Sequence, residues 1–167
     1  FMFFLPVIFT VLFLLAVFLF CRYWFSPQTG IVAAFLAGAA PIVIHRGSAG
    51  WYDMDILSLL LPLLAVWALA AAVQRRSWPL ALLSSLIVSL FAFTWLGWFF
   101  IYVIICGYLV FSLLNLSGAY ASDRVRERAI TYVVTGILFL LGCEVLVRLF
   151  LGQSPLLYAW RSVALHL

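Results

Sequence analysis

The chain has 167 residues, of which 68% are hydrophobic and 18% aromatic, with 8% charged and a formal net charge of +4. A mean hydropathy of +1.27 excludes a water-soluble enzyme or a nucleic-acid-binding module and marks an integral membrane protein. All nine positive residues are arginines, and the loops of a membrane protein account for them without a nucleic-acid partner.

An isolated segment in hydrocarbon must satisfy its own backbone hydrogen bonds, so the expected fold is all-α, a polytopic bundle. Crossing about 30 Å takes roughly 20 apolar residues, and the apolar runs predict six spans, at 1–21, 28–45, 56–73, 78–94, 98–116 and 129–150. The first is phenylalanine- and leucine-rich, with Pro6 near its outer end, where a missing amide costs least. It opens without a basic region or small-residue cleavage site, so it is not a signal peptide, and the chain reads as a piece of a longer one. In the second span Gly30, Ala34 and Gly38 fall four apart, with Ala33, Ala37 and Pro41 on the adjoining row. Such a stripe of small residues lets another helix approach closely.

The third span carries Pro62, expected to kink it about two turns from its start. Gln74-Arg75-Arg76-Ser77 closes it. Ser84, Ser85 and Ser89 in the fourth span are expected to bond backbone carbonyls. Only the turn from Thr94 to Trp98 divides the fourth span from the fifth. The aromatic cluster there, Trp95, Trp98, Phe99, Phe100 and Tyr102, reads either as an interfacial belt or as the wall of an outward cavity. The one charge run, 122–128, suits a solvated turn beside anionic lipid headgroups, with Ser122 or Asp123 capping the helix that follows. In the sixth span Glu144 and Arg148 stand at i, i+4 and are read as a structural ion pair. From Ser154-Pro155 onward a cap and a proline open a short helix, with Leu156, Trp160, Val163 and Leu167 on one face for the membrane interface. The division expected is therefore a transmembrane domain over 1–151, then an interfacial helix or the start of an extracytoplasmic loop over 152–167. Cys21, Cys106 and Cys143 are singletons that behave as small hydrophobes.

With six alternating spans, one set of loops holds Arg22, Arg75, Arg76, Arg124, Arg126 and Arg128, and the other Arg46, Arg148 and Arg161. Six against three puts the first set in the cytoplasm. The loop between the second and third spans then faces the periplasm or lumen. That loop, from Ile44 to Asp55, holds two of the five carboxylates, Asp53 and Asp55, with Arg46 and His45, between flanks that are almost uncharged. Two residues apart in an extended segment, these side chains point the same way and can converge on one cation. The competing reading is that one of them only N-caps the helix that begins near Ile56.

The run Arg46-x-x-Ala49-Gly50-Trp51-Tyr52-Asp53-x-Asp55, followed by Leu-Leu-Leu-Pro62, resembles the second acidic motif of the oligosaccharyltransferase catalytic subunit family, in the form of the single-subunit bacterial enzymes. The resemblance extends from about Phe3 to Leu116; beyond that only the pattern of spans is similar. It implies a GT-C-type glycosyltransferase membrane domain in a bacterial inner membrane. The implied reaction moves an oligosaccharide from a lipid pyrophosphate donor to the asparagine of an Asn-x-Ser/Thr sequon in an acceptor polypeptide. It implies that Asp53 and Asp55 are catalytic and hold a divalent cation, Mn²⁺ or Mg²⁺, with Arg46 steadying the acidic pair. Tyr52 and Trp95 would contact the donor, Trp95 standing where bacterial relatives carry tyrosine. The family's first acidic residue would precede Phe1, and its last catalytic glutamate and Trp-Trp-Asp motif would follow Leu167. Two other readings stay open at this point. One is a different glycosyltransferase with a polyprenyl-linked donor; the other is a non-catalytic transporter or scaffold subunit.

Overall fold

A computed structural model of the chain describes residues 4–48, 56–117, 123–152, 154, 155, 157 and 158. Every regular element among them is helical: α1 (Leu5–Trp24), α2 (Pro27–Ala39), α3 (Pro41–Arg46), α4 (Leu57–Arg75), α5 (Trp78–Thr94), α6 (Phe99–Ser117) and α7 (Asp123–Leu151). A 3-10 turn, Leu96–Trp98, joins α5 to α6. Three helical stretches are long and apolar enough to cross a membrane, Leu5–Trp24, Leu57–Arg75 and Glu127–Leu151, and the apolar stretches of α2, α5 and α6 are shorter. Large apolar side chains such as Phe35 and Leu149 are 74% exposed, the inverse of a water-soluble surface and what contact with lipid tails requires. The chain is an all-α membrane protein.

The chain divides into two compact units, Phe1–Leu64 and Ala65–Leu167. In the first, Ser26 turns the chain from α1 into α2. Its backbone is extended, its Oγ accepts the Thr29 N–H at 3.1 Å, and Pro27 follows at the first helical position. The return brings α2 against α1 along the small-residue stripe. Gly30 is buried, and a Cβ there would lie 2.8 Å from the Phe18 carbonyl oxygen and 3.3 Å from the Arg22 nitrogen. At Gly38 a Cβ would meet the Leu14 side chain at 3.4 Å. The expectation of close helix approach holds.

The second predicted span, however, is two helices. α2 stops at Ala39, Ala40 takes an extended conformation (φ −63°, ψ 127°), and α3 restarts at Pro41. The cause is Pro41, which has no N–H to give and forces the residue before it out of the helical region. At 13 residues, α2 extends about 20 Å, short of the hydrocarbon thickness.

In the second unit α5 lies innermost. Ala81, Ser84, Ser85, Val88, Ser89 and Phe91 on it are all buried. The serines bond carbonyls as expected, Ser85 Oγ to Leu82 O and Ser89 Oγ to Ser85 O, both at 2.8 Å. Ser84 reaches further, donating across to the Ala65 carbonyl of α4 at 2.8 Å. On the other side α7 comes so close that a Cβ at Gly142 would run into the Ser85 side chain. α7 begins at Asp123, where a cap at Ser122 or Asp123 is expected and ahead of the apolar run from Ala129, because a charged segment leaving the membrane keeps its helical hydrogen bonds in water.

α4 ends in a Schellman turn. The Ser77 N–H bonds the Ala72 carbonyl at 3.0 Å, and Arg76 stands at φ +51°. A position of that kind usually holds glycine, since a side chain there costs about 1 kcal/mol. Here the arginine side chain reaches α7 and pairs with Glu127 at 2.9 Å.

Candidate functional site

The acidic loop leaves from α3. His45 and Arg46 form the last turn of that helix, where positive charge faces the negative end of the helix dipole. The Gly47 N–H bonds the Val43 carbonyl at 2.8 Å, and the Ser48 hydroxyl donates to the His45 carbonyl at 2.9 Å. Gly47 sits against α1: a Cβ there would collide with Thr10 Oγ1. The Thr10 hydroxyl is itself held by donation to the Pro6 carbonyl at 2.8 Å. Half-buried Arg46 therefore stands at a fixed point where the loop begins, seven residues before Asp53.

Tyr52, Asp53 and Asp55 lie outside the described residues, and so does any arrangement of the two carboxylates. The far end of the loop is described. The Ile56 carbonyl accepts the Leu60 N–H at 3.0 Å and the Leu59 N–H at 3.2 Å, and α4 starts at Leu57. The flanking position that a capping side chain occupies is thus taken by Ile56, one residue after Asp55. Among the described residues no three His, Cys, Asp or Glu side chains cluster as metal ligands.

The second candidate feature is the aromatic turn after α5. Trp95 is extended (φ −152°, ψ 132°), its N–H bonds the Phe91 carbonyl at 3.1 Å, and its ring packs 5.6 Å from that of Phe91. The indole lies over Gly97, where any Cβ would strike it, yet Trp95 remains 47% exposed. That leaves an aromatic face open at the end of a helix, able to stack on a ligand.

The rest of the cluster does not form an outward wall. Trp98, Phe99 and Tyr102 are buried, while Phe100 is exposed. Trp98 in the turn continues an inward row with Tyr102, Ile105 and Leu109 of α6; their spacing of four, three and four is the period of a helix face and is present in the sequence. Trp98 stacks on Tyr158 at 5.7 Å and Phe99 meets the same ring edge-on at 5.9 Å. The segment after α7 therefore folds back on the turn that carries Trp95.

Glu144 anchors that return. Its Oε1 pairs with Arg148 Nε, as the i, i+4 spacing implied, and also accepts the Ser154 hydroxyl at 2.8 Å. Ser154, expected as a cap, thus serves as a tie to α7, and its carbonyl accepts the Tyr158 N–H at 2.9 Å. The Arg148 side chain is 61% exposed, so solvent screens the pair and the charge alone contributes about 0.5 kcal/mol. Glu144→Gln, which keeps an oxygen for Ser154, is expected to cost about that much, and Glu144→Ala about 1 kcal/mol more. Thermal unfolding in detergent reads the difference; equal losses for both variants would remove Ser154 from this account.

Comparison with known proteins gives a consistent set of findings. The family model described as "Oligosaccharyl transferase STT3, N-terminal" matches residues 1–165. A curated relative, the "Dolichyl-phosphooligosaccharide-protein glycotransferase" of Methanococcus voltae, is 26% identical over 160 residues. That alignment covers 82% of this chain and 17% of the relative, so the chain spans less than a fifth of the relative's length. No solved structure matches.

Proposed function

The chain belongs to the oligosaccharyl transferase STT3 family, and on that premise we propose that it works as part of the membrane domain of an oligosaccharyltransferase. The reaction is transfer of a glycan from a lipid pyrophosphate donor to the asparagine of an Asn-x-Ser/Thr sequon. The observation that carries this reading is the extent of the family match, nearly the whole chain. In this reading Asp53 and Asp55 are the catalytic carboxylates and hold a divalent cation, Mn²⁺ or Mg²⁺. Two carboxylates offer the hard oxygen donors such cations take, and a bound cation neutralises charge on the departing pyrophosphate. The occupation of the flanking position by Ile56 supports a role for Asp55 other than capping α4. Arg46, held at the end of α3, presents its guanidinium at the root of the loop and positions the acidic pair. Tyr52 and the exposed ring of Trp95 contact the donor. The setting is a bacterial inner membrane, with the Asp53/Asp55 loop in the periplasm.

Two measurements test this. Full-length protein in detergent, given lipid-pyrophosphate-linked glycan and a fluorescent sequon peptide, should yield glycopeptide; a peptide with glutamine in place of the sequon asparagine should not. For the orientation, a single cysteine at exposed Ser48, in a background lacking Cys21, Cys106 and Cys143, should react with an impermeant thiol reagent from the periplasmic side. Cysteines at Ser77 and Ser122 should not. The reverse labelling pattern would remove Asp53 and Asp55 from periplasmic chemistry.

A further inference from the structure

The turn between α4 and α5 and the start of α7 together form a groove that the proposed reaction does not use. It has a volume of about 210 Å³ and is lined by Arg76, Trp78, Ile130, Thr131, Val134 and Leu138 among others. Its rim carries the Arg76–Glu127 ion pair, and its floor is largely apolar. Arg76 is extended over the rim by its pairing with Glu127, and each of these two side chains is 59% exposed. Arg128 is exposed as well and lies one turn before Thr131 on the same row of α7. Below the rim, Ile130 and Val134 are 56% and 48% exposed, and with Leu138 they form an apolar strip descending the helix. Trp78, 64% exposed, stands at the junction of the two zones, the level that tryptophan favours in a bilayer. Thr131 turns its hydroxyl to the Glu127 carbonyl at 2.9 Å, which leaves its methyl for the strip.

We propose that this groove binds an anionic phospholipid, with the phosphate between Arg76 and Arg128 and one acyl chain along Ile130, Val134 and Leu138. Charge complementarity selects the headgroup. Among the described side chains, exposed Arg76 and Arg128 stand against Glu127 alone, a net positive charge that favours an anionic headgroup over a zwitterionic lipid's cationic group. The apolar strip selects a lipid over a soluble phosphate, since it runs into the stretch of α7 long enough to cross a membrane. Arginine at the left-handed position after α4 also gains a reason, because glycine there would leave no guanidinium over the rim.

The test uses full-length protein in detergent and two brominated lipids of identical chains, phosphatidylglycerol and phosphatidylcholine. Quenching of Trp78 is isolated as the difference between wild type and Trp78→Phe. Phosphatidylglycerol should quench this component at a concentration on the order of twentyfold lower than phosphatidylcholine, both arginines contributing. Arg76→Gln and Arg128→Gln should each lower that preference by about fivefold, the contribution of one arginine near a charged surface. Should Arg76→Gln fold poorly, Arg128→Gln still decides, since its exposed side chain has little part in the fold. Val134→Phe, filling the groove at unchanged charge, should weaken both lipids. Equal quenching by the two lipids, a preference that survives Arg128→Gln, or displacement of phosphatidylglycerol by millimolar inorganic phosphate would each overturn the proposal.

Discussion

Replacing Asp53 by asparagine is expected to lower glycan transfer by the full-length protein roughly a hundredfold or more. Changes in the groups that merely support metal ligands already cost 10–100-fold, and asparagine lacks the anionic oxygen a hard cation selects. The same change should leave thermal stability within about 0.5 kcal/mol, because the capping position of α4 falls to Ile56 and a near-isosteric change elsewhere in a polar loop costs little. Asp55→Asn should be milder, on the order of tenfold, as the neighbouring carboxylate would still hold the cation. The assay is transfer to a fluorescent sequon peptide across a Mn²⁺ titration, with both variants beside wild type. Full activity of Asp53→Asn with an unchanged Mn²⁺ response would reduce the loop to a solvated connection.

Enlarging Gly142 is expected to damage the packing of α5 on α7. A Cβ there would already intrude on Ser85 Oγ and lie 2.9 Å from Ser85 Cβ. Gly142→Ala is expected to cost about 2 kcal/mol and Gly142→Leu about 3 kcal/mol, the upper range for overpacking. Because one side chain receives the clash, Ser85→Gly should restore a substantial part of the loss in the double variant. Thermal unfolding of the four proteins in detergent measures this coupling. Strictly additive losses would mean that α5 and α7 do not meet at Gly142.

These two sites differ in how they show in the sequence. The acidic pair stands out because it interrupts an almost uncharged stretch, so composition alone singles it out, whereas its geometry lies outside the described residues. The helical character of each apolar run was legible for the same reason, since lipid leaves the backbone no alternative. α5 begins and ends where expected, at Trp78 and Thr94, because Pro79 sets its first turn and the run ends at the turn carrying Trp95. The break at Pro41 does not show in the small-residue pattern, because that proline continues the row of Ala33 and Ala37 beside Gly30 and Gly38; its missing N–H is the stronger signal. The inward row of α6 was missed for another reason. Tryptophan and tyrosine near a span end suit both a membrane interface and a protein interior, and only packing with Tyr158 separates the two. The Ser84 bond to Ala65 spans 19 residues, a distance at which no local pattern speaks.

The interruption at Ala40 also bears on how this region tolerates change over evolution. In an unbroken helix, one inserted or deleted residue ahead of Arg46 would swing that side chain by about 100° and shift it about 1.5 Å. The extended residue before Pro41 supplies a joint at which such a change can be taken up. The heading of Arg46 is then set locally, where Gly47 rests on Thr10. Homologues should accordingly vary in the length of α2 while keeping a proline, a short helix and a small residue ahead of the acidic loop.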